Sequence, residues 1–426
     1  MGKNIALLIG FSIIISITPF LFLFENFSPD NFLYDFANIS GLIGATLLLW
    51  QLLLGNRRVF RKFTPDFISL NRLHQLLGKY GLFFVFIHPF LQAYKFAYGF
   101  DFVFIPRLGT QFLVNVAFGR MAFYLFLILI VSSVILRKKI KYRPWLYIHY
   151  LAYPMMILVF VHATLAGSFI AQISFIKYYW WFLVVIFSLT LATRILRFLN
   201  IGKYKYRLID ITKHTGDITV FTFTPLGQQI VPKPGQFVYL RKGKFSESHP
   251  FTIMEYDDTT GNMKFGIKRV GKYTNSLNIL EKGCTVYVDG PYGVFTLEGQ
   301  NNSPKLILAG GIGITPFVEL VKKYGNKNTT LFYSNKTHED ALFSSLFTRK
   351  LGKNYIEVIT NQTTSRPQAV SGRLSKNIFL TYVDRNLVKS ANIFICGSSG
   401  FMKEMKNMLI DLGAPKNNIF YEKFEL

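Results

Sequence analysis

Six long apolar runs crowd the first 200 residues, near 5–24, 39–54, 73–91, 121–136, 146–166 and 178–199. A run of about 20 apolar residues matches the hydrocarbon thickness of a bilayer. Lipid offers no partner to backbone N–H and C=O groups, so such runs fold as helices that satisfy their own backbone. A six-helix transmembrane bundle is therefore predicted over residues 1–200. No small-residue cleavage site follows the first run, Ile5 to Phe24, so a spanning helix is expected there rather than a cleaved signal peptide.

Composition changes sharply after this half. Of the 23 acidic residues, five fall in 1–200 and 18 in 201–426, where polar and apolar residues mix. A chain of 426 residues has room for two or three domains. The linkers between runs alternate in charge. Arg57, Arg58, Arg61, Lys62 and Arg72 lie between runs two and three. Arg137, Lys138, Lys139, Lys141 and Arg143 lie between four and five, and Arg194, Arg197, Lys203 and Lys205 follow or close run six. The opposite linkers are poor in Lys and Arg. The positive-inside rule then places both termini and the C-terminal half in the cytoplasm of a multi-pass cell-membrane protein.

The net charge of +25 is shared almost equally by the two halves. No nucleic-acid-binding motif accompanies it. A basic surface suits an anionic lipid leaflet and an anionic dinucleotide. The two cysteines, Cys284 and Cys396, have neither metal-ligand spacing nor a disulfide pattern.

Four of the seven histidines lie in the membrane half: His74 and His88 on run three, His149 and His162 on run five. An ionisable ring inside a bilayer is costly and marks function. Fourteen residues separate the first two and 13 the second two, or roughly 20 Å along a helix. Each helix thus carries one histidine near each leaflet. Both helices run from inside to outside, which pairs His74 with His149 at the inner level and His88 with His162 at the outer level. Two imidazoles across a gap are what a six-coordinate haem iron requires. Two stacked b-type haems would conduct electrons through the bilayer. On a straight helix, His149 and His162 would face about 140° apart, so a distortion is expected near Pro154, which lies between them.

These pairs, on the third and fifth of six helices, resemble the NADPH oxidase and ferric reductase superfamily over nearly the whole chain. With no calcium-binding segment ahead of the first helix, the layout is most similar to the compact bacterial NADPH oxidases. It implies no obligatory regulatory subunit. The resemblance extends into the second half. Residues 203–300 read as dense short strands, a small antiparallel β-barrel, and His249-Pro250-Phe251-Thr252 resembles the superfamily's FAD motif. Lys268-Arg269, followed by Gly271-Lys272-Tyr273-Thr274, resembles its pyrophosphate segment. There a cation, a close-approach glycine and a hydroxyl donor suit a diphosphate. Asp289 to Gly293 resembles the turn that closes this domain.

At Lys305 an apolar strand begins that runs into Gly310-Gly311-Ile312-Gly313-Ile314-Thr315-Pro316 and then a helix. Strand, glycine turn and helix start form a dinucleotide cradle. An acidic residue after the second strand would favour NADH. Ser334-Asn335-Lys336 stands there instead, and Arg366 and Arg373 lie within reach by analogy, which favours NADPH. Asn392 to Cys396, with Gly397 and Ser398, resembles the strand and Cys-Gly pair beside the nicotinamide. Phe424 is the candidate aromatic over the flavin. The expected domains are 1–200, a transmembrane haem domain; 201–302, an FAD-binding β-barrel; and 303–426, a ferredoxin-reductase-like α/β domain for NADPH or NADH.

The resemblance implies electron flow from NAD(P)H through FAD and two haems to an outside acceptor. That acceptor is oxygen, giving superoxide, or alternatively ferric iron. Tyr153, Met155 and Phe160 lie between the two histidine levels of run five. Arg120, with Arg107 as a second choice, is expected to meet a haem propionate or an anionic product. A reading of another class is a six-helix transporter or scaffold with a fused reductase-like sensing module.

Overall fold

The apolar runs form helices, as their length and composition require. The computed structural model describes residues 3–25, 32–60, 66–215, 217–243 and 246–422. Phe424, Arg61 and Lys62 lie outside the described residues. The chain divides into two units, Met1–Arg197 and Phe198–Leu426.

Among the described residues of the first unit, five helices are long and apolar enough to cross a membrane: Phe32–Leu54, Ser69–Lys95, Gln111–Ile135, Tyr142–Ala166 and Ser174–Phe198. The first run is helical from Lys3 to Glu25, but its described apolar stretch, Ala6–Ile15, is shorter. Leu42, Leu49, Phe123, Phe126, Met155, Met156, Phe160 and Trp180 pack into one buried cluster at the centre of this unit. Met155 and Phe160 are thus core residues, and Tyr153 packs against them.

Both histidine-bearing spans are irregular between their histidines. One helix stops at His149 and the next starts at Ala152. The gap holds Tyr150, the residue four before Pro154. That is where a proline ring collides with the preceding turn and cannot return an N–H. The expected distortion therefore lies one turn ahead of the proline. The other span carries a π-helical turn, Leu77–Gly81, between His74 and His88, which had no counterpart in the sequence reading. A second π turn, Val131–Ile135, ends the Gln111–Ile130 helix. Such turns offset the hydrogen-bond ladder by one residue and often mark functional sites.

The second unit holds two sheets. The first is antiparallel, with β1 (Tyr204–Lys213), β2 (Ile218–Pro225), β3 (Phe237–Arg241), β4 (His249–Thr252), β5 (Glu255–Tyr256), β6 (Met263–Lys268) and β7 (Thr285–Tyr292) in the order β4-β3-β7-β1-β2-β6-β5. Alternate residues bury one face, Met263, Phe265 and Ile267 on β6 against Tyr206, Leu208 and Phe223, as period-two strands with one apolar face must. Between β4 and β5 the chain passes from one partner to another: Ile253 N–H donates to Gln236 O and Met254 N–H to Lys264 O, each at 2.9 Å.

The second sheet is wholly parallel. It comprises β8 (Lys305–Gly310), β9 (Thr329–Asn335), β10 (Tyr355–Ile359), β11 (Ala369–Ser371), β12 (Asn392–Cys396) and β13 (Ile419–Tyr421) in the order β11-β10-β9-β8-β12-β13. β8 and β12 are apolar throughout except at their first residues, Lys305 and Asn392, as strands covered on both faces must be. The order reverses at β8 and β12. In open parallel sheets the ligand crevice lies at that switch point, outside the carboxyl ends of the strands.

Candidate functional site

The His74 and His149 rings approach each other, with centres 6.0 Å apart and planes inclined by 75°. With metal–nitrogen bonds of about 2 Å, two imidazoles that share one metal put their ring centres on the order of 6 Å apart. Among the described residues, no group of three or more His, Cys, Asp or Glu side chains could hold a metal. Each pair offers two imidazoles, the number that a six-coordinate haem would take from a protein. Arg137 lies 4.4 Å over the Trp145 ring, and Trp145 stacks on His149 at 4.9 Å. Ser133, in the π turn, stands 3.2 Å from His149 Nδ1 and accepts from the Trp145 indole N–H. The Gln51 side-chain amide lies 2.7 Å from His74 Nδ1. Turned one way it donates to that nitrogen. Turned so, it also donates to His74 O at 3.1 Å and its oxygen accepts from Gly78 N–H at 2.9 Å; ligation through Nε2 would instead need Nδ1–H with the amide oxygen turned to it.

His88 and His162 line one cavity of about 440 Å³, walled by Leu42, Leu48, Phe123, Phe126 and Trp180 among others. Their Nδ1 atoms meet backbone carbonyls, His88 at Ala37 O (2.9 Å) and His162 at Asn115 O (3.0 Å). A carbonyl only accepts, so Nδ1 carries the hydrogen in both rings and Nε2 keeps a lone pair for a metal. Two glycines make room for these rings. A Cβ on Gly41 would lie 2.6 Å from the His88 ring, and one on Gly119 would lie 2.7 Å from the His162 ring.

Arg120 lines the same cavity and is 5% exposed. Its Nε and Nη2 donate to Phe102 O at 3.0 and 2.6 Å. Nη1 is buried with no hydrogen-bond partner among the described residues. Apolar walls, two axial nitrogens and a buried cation fit a haem with an anionic edge. Arg107 differs, since its guanidinium pairs with Asp101 at 3.0 Å on the surface.

In the antiparallel sheet, His249 stacks on Tyr273 at 3.8 Å, and the Phe251 ring lies 6.1 Å beyond, nearly parallel. Pro250 follows in β4, and Thr252 is buried. The Tyr273 hydroxyl donates to Leu240 O at 2.8 Å, and burial pushes this phenol well up from its ordinary value. The Thr274 hydroxyl accepts from Val270 and Gly271 N–H at 3.0 Å each and donates to Gly271 O at 3.1 Å. Tyr273 thus ties this segment to β3, while Thr274 caps its own turn. The Asp289–Gly293 segment is likewise bonded within the domain, with Tyr292 donating to Asp289 at 2.7 Å.

At the switch point the glycine loop and the Cys396-Gly397 loop touch. A Cβ on Gly313 would lie 2.5 Å from Cys396 O. Phe401 packs on Gly310 and Gly397, so the sequence reading missed an aromatic wall here. Gly311 has φ +53°. The Thr315 hydroxyl donates to Ile312 O at 3.1 Å, and Pro316 opens the following helix. Ser334 is the penultimate residue of β9, which ends at Asn335, and Lys336, Arg366 and Arg373 are exposed beyond it. Cys396 is fully buried, with Sγ 3.9 Å from Glu422 O. Burial, with Glu422 adding to it, pushes the thiol up from its ordinary range, the opposite of the shift that a thiolate nucleophile needs.

The sequence reading missed Gly41, Gly119, Gln51 and Ser133. For Gln51 and Ser133 the available signal was a polar residue inside an apolar run.

Three segments match known families in order: a ferric reductase like transmembrane component over residues 40–160, an FAD-binding domain over 206–296 and an oxidoreductase NAD-binding domain over 307–407. Curated relatives include flavohemoprotein A of Dictyostelium discoideum, 29% identical over 36% of this chain and 39% of that protein. NADH-cytochrome b5 reductase 2 of Mycosarcoma maydis is 26% identical over 40% and 56%. The chain thus spans about two fifths to just over half of these relatives. A solved ferredoxin NADP+ reductase from Neisseria gonorrhoeae with bound FAD and NADP aligns at 18% identity over 52% of this chain and 98% of that one, with a TM-score of 0.44. The chain carries the FAD and NAD(P)H domains of an oxidoreductase behind a component of several apolar helices. That order of domains is the architecture of the NADPH oxidase and ferric reductase superfamily.

Proposed function

We propose that the chain carries electrons from cytosolic NADPH, with NADH as the weaker donor, through FAD and two b-type haems to oxygen outside the cell membrane, producing superoxide. The observation that carries this reading is the pair of two-histidine sites, one with rings 6.0 Å apart and one facing a cavity beside a buried arginine. When bound, FAD supplies the change from two-electron to one-electron transfer, and six-coordinate haem supplies conduction without direct ligand chemistry.

In this reading His74 and His149 hold the inner haem, and His88 and His162 the outer one. Arg120 offers Nη1 to a propionate or to the anionic product. His249, Pro250, Phe251 and Thr252 line the flavin, Lys268 answers its diphosphate, and Phe424 covers its ring. Gly310, Gly311, Gly313 and Thr315 cradle the dinucleotide. Ser334, Lys336 and Arg373 read its ribose end, and Cys396 and Gly397 form the floor beside the nicotinamide. The first run completes a six-helix bundle with both termini cytoplasmic. The strand from His249 to Tyr256, bonded to β3 and then to β6, closes the antiparallel sheet into a barrel. Domain limits near 200 and 302 follow.

A second reading, reduction of ferric iron, is favoured by the match to a ferric reductase like component. The test is cytochrome c reduction by the purified, FAD-supplied protein with NADPH. Sensitivity to superoxide dismutase is expected. Insensitive reduction, or rapid reduction of a ferric chelate without oxygen, contradicts the superoxide reading. A reduced-minus-oxidised spectrum without b-type bands contradicts both.

A further inference from the structure

The loops after β9 and β10 are joined by a buried histidine that none of the sites above uses. His338 lies two residues past Lys336, with its side chain 10% exposed. Its Nδ1 stands 3.0 Å from Oε2 of Glu357 on β10, and its Nε2 stands 3.0 Å from the Thr364 hydroxyl. Glu357 is 7% exposed. Its second oxygen accepts from Ser344 at 3.4 Å, and the Ser344 oxygen accepts from Tyr355 at 3.1 Å. A buried carboxylate is costly unless paired, so Glu357 holds the imidazole in place.

The link continues along both loops. The Thr364 oxygen accepts from Arg366 N–H at 3.2 Å. His338 N–H donates to the Gln362 side chain at 3.0 Å, and Asn361 N–H donates to Lys336 O at 2.9 Å. The loops that carry Lys336 and Arg366 therefore share one polar spine centred on His338. β9 pairs in parallel with β8, so its carboxyl end is where the ribose of a nucleotide cradled by the glycine loop is read. Ordering two long cations on separate loops costs entropy at binding unless the loops are already fixed.

We propose that His338 is a positioning residue for nucleotide selection. By bridging Glu357 and Thr364 it fixes the spacing of Lys336 and Arg366, so that the pair takes the phosphate of a 2′-phosphorylated dinucleotide. This rests on the NADPH reading above.

The test uses the full chain with FAD and a soluble dye acceptor, which removes any dependence on haem. KM and kcat are measured with NADPH and with NADH for wild type, Lys336→Ala, His338→Asn, Thr364→Val and Thr364→Ser. Thr364→Val and His338→Asn are expected to raise KM for NADPH about five- to tenfold, the worth of one well-placed hydrogen bond. KM for NADH and kcat with either nucleotide should stay within about twofold, and Thr364→Ser should match wild type. Thr364→Val leaves no buried charge unpaired and stands alone if His338→Asn fails to fold. If Lys336→Ala weakens NADPH while Thr364→Val does nothing, or weakens both nucleotides equally, the role of His338 is overturned and the NADPH reading survives. A wild-type chain without preference for NADPH overturns both.

Discussion

The two histidine pairs do the same job on paper but are held in different ways. His88 and His162 are fixed chiefly by main chain: carbonyls of Ala37 and Asn115 take their Nδ1 hydrogens, with the Ser40 hydroxyl farther off at 3.3 Å from His88 Nδ1, and Gly41 and Gly119 leave space for the rings. His74 and His149 are fixed by side chains: the Gln51 amide, the Ser133 hydroxyl and the stacked Trp145. A carbonyl in a helix cannot rotate, so the first pair has one tautomer and one direction. A hydroxyl or amide can turn, so the second pair is open to tuning by single substitutions. Partners of this kind set ligand orientation and basicity in metal sites.

The largest expected effect separates the pairs outright. His74→Leu or His149→Leu should remove one haem and leave the His88–His162 haem bound, while NADPH oxidation with a soluble dye continues. Haem-to-flavin stoichiometry measures this. Next come the glycines. Gly119→Ala or Gly41→Ala drives a methyl into an imidazole ring, an overpacking that costs roughly 1–3 kcal/mol, and should deplete the His88–His162 haem selectively. Gly55→Ala is the contrast: its Cβ would meet His74 at 3.9 Å, an ordinary contact, and both haems should remain. Equal loss from Gly55→Ala and Gly119→Ala would erase the distinction.

Ser133→Ala should act more gently. It removes the His149 partner and should weaken haem retention at that pair by about tenfold, with a shift in the midpoint potential of that haem alone in a redox titration. The smallest effect is expected from Cys396→Ala. Because burial holds the thiol neutral, this variant should keep a pH profile of dye reduction indistinguishable from wild type between pH 6 and 8, centred on about pH 7. A lost acid or base limb would assign the thiol a proton-transfer role.

Much of this comparison was legible in the sequence, and the gaps have physical causes. The four histidines stood out because ionisable rings are rare in apolar runs, and loop charge paired them by giving both helices one direction. Pro154 announced a distortion, since a proline disrupts the turn before it. The π turn at Leu77–Gly81 left no such mark, because a one-residue offset in a hydrogen-bond ladder needs no special residue. Gly41 and Gly119 were invisible for a related reason: glycine is common in membrane helices, and only the neighbouring helix shows which ones matter. In the flavin sheet, alternation exposed the strands. The bonds that Tyr273 and Thr274 make within the domain left no mark in the sequence, because a hydroxyl that suits a diphosphate serves equally well as a tie or a turn cap. His338 and Glu357 lie 19 residues apart on different elements, and only the parallel pairing of β9 and β10 brings them together.

The central claim is that the chain holds two haems on two separate histidine pairs. The most direct measurement is a haem-to-flavin ratio with a reduced-minus-oxidised spectrum on wild type, His74→Leu and His162→Leu. The account predicts b-type bands with two haems per flavin in wild type, one in each variant and none in the double variant. Two haems retained in either single variant, or no b-type bands in wild type, would contradict it.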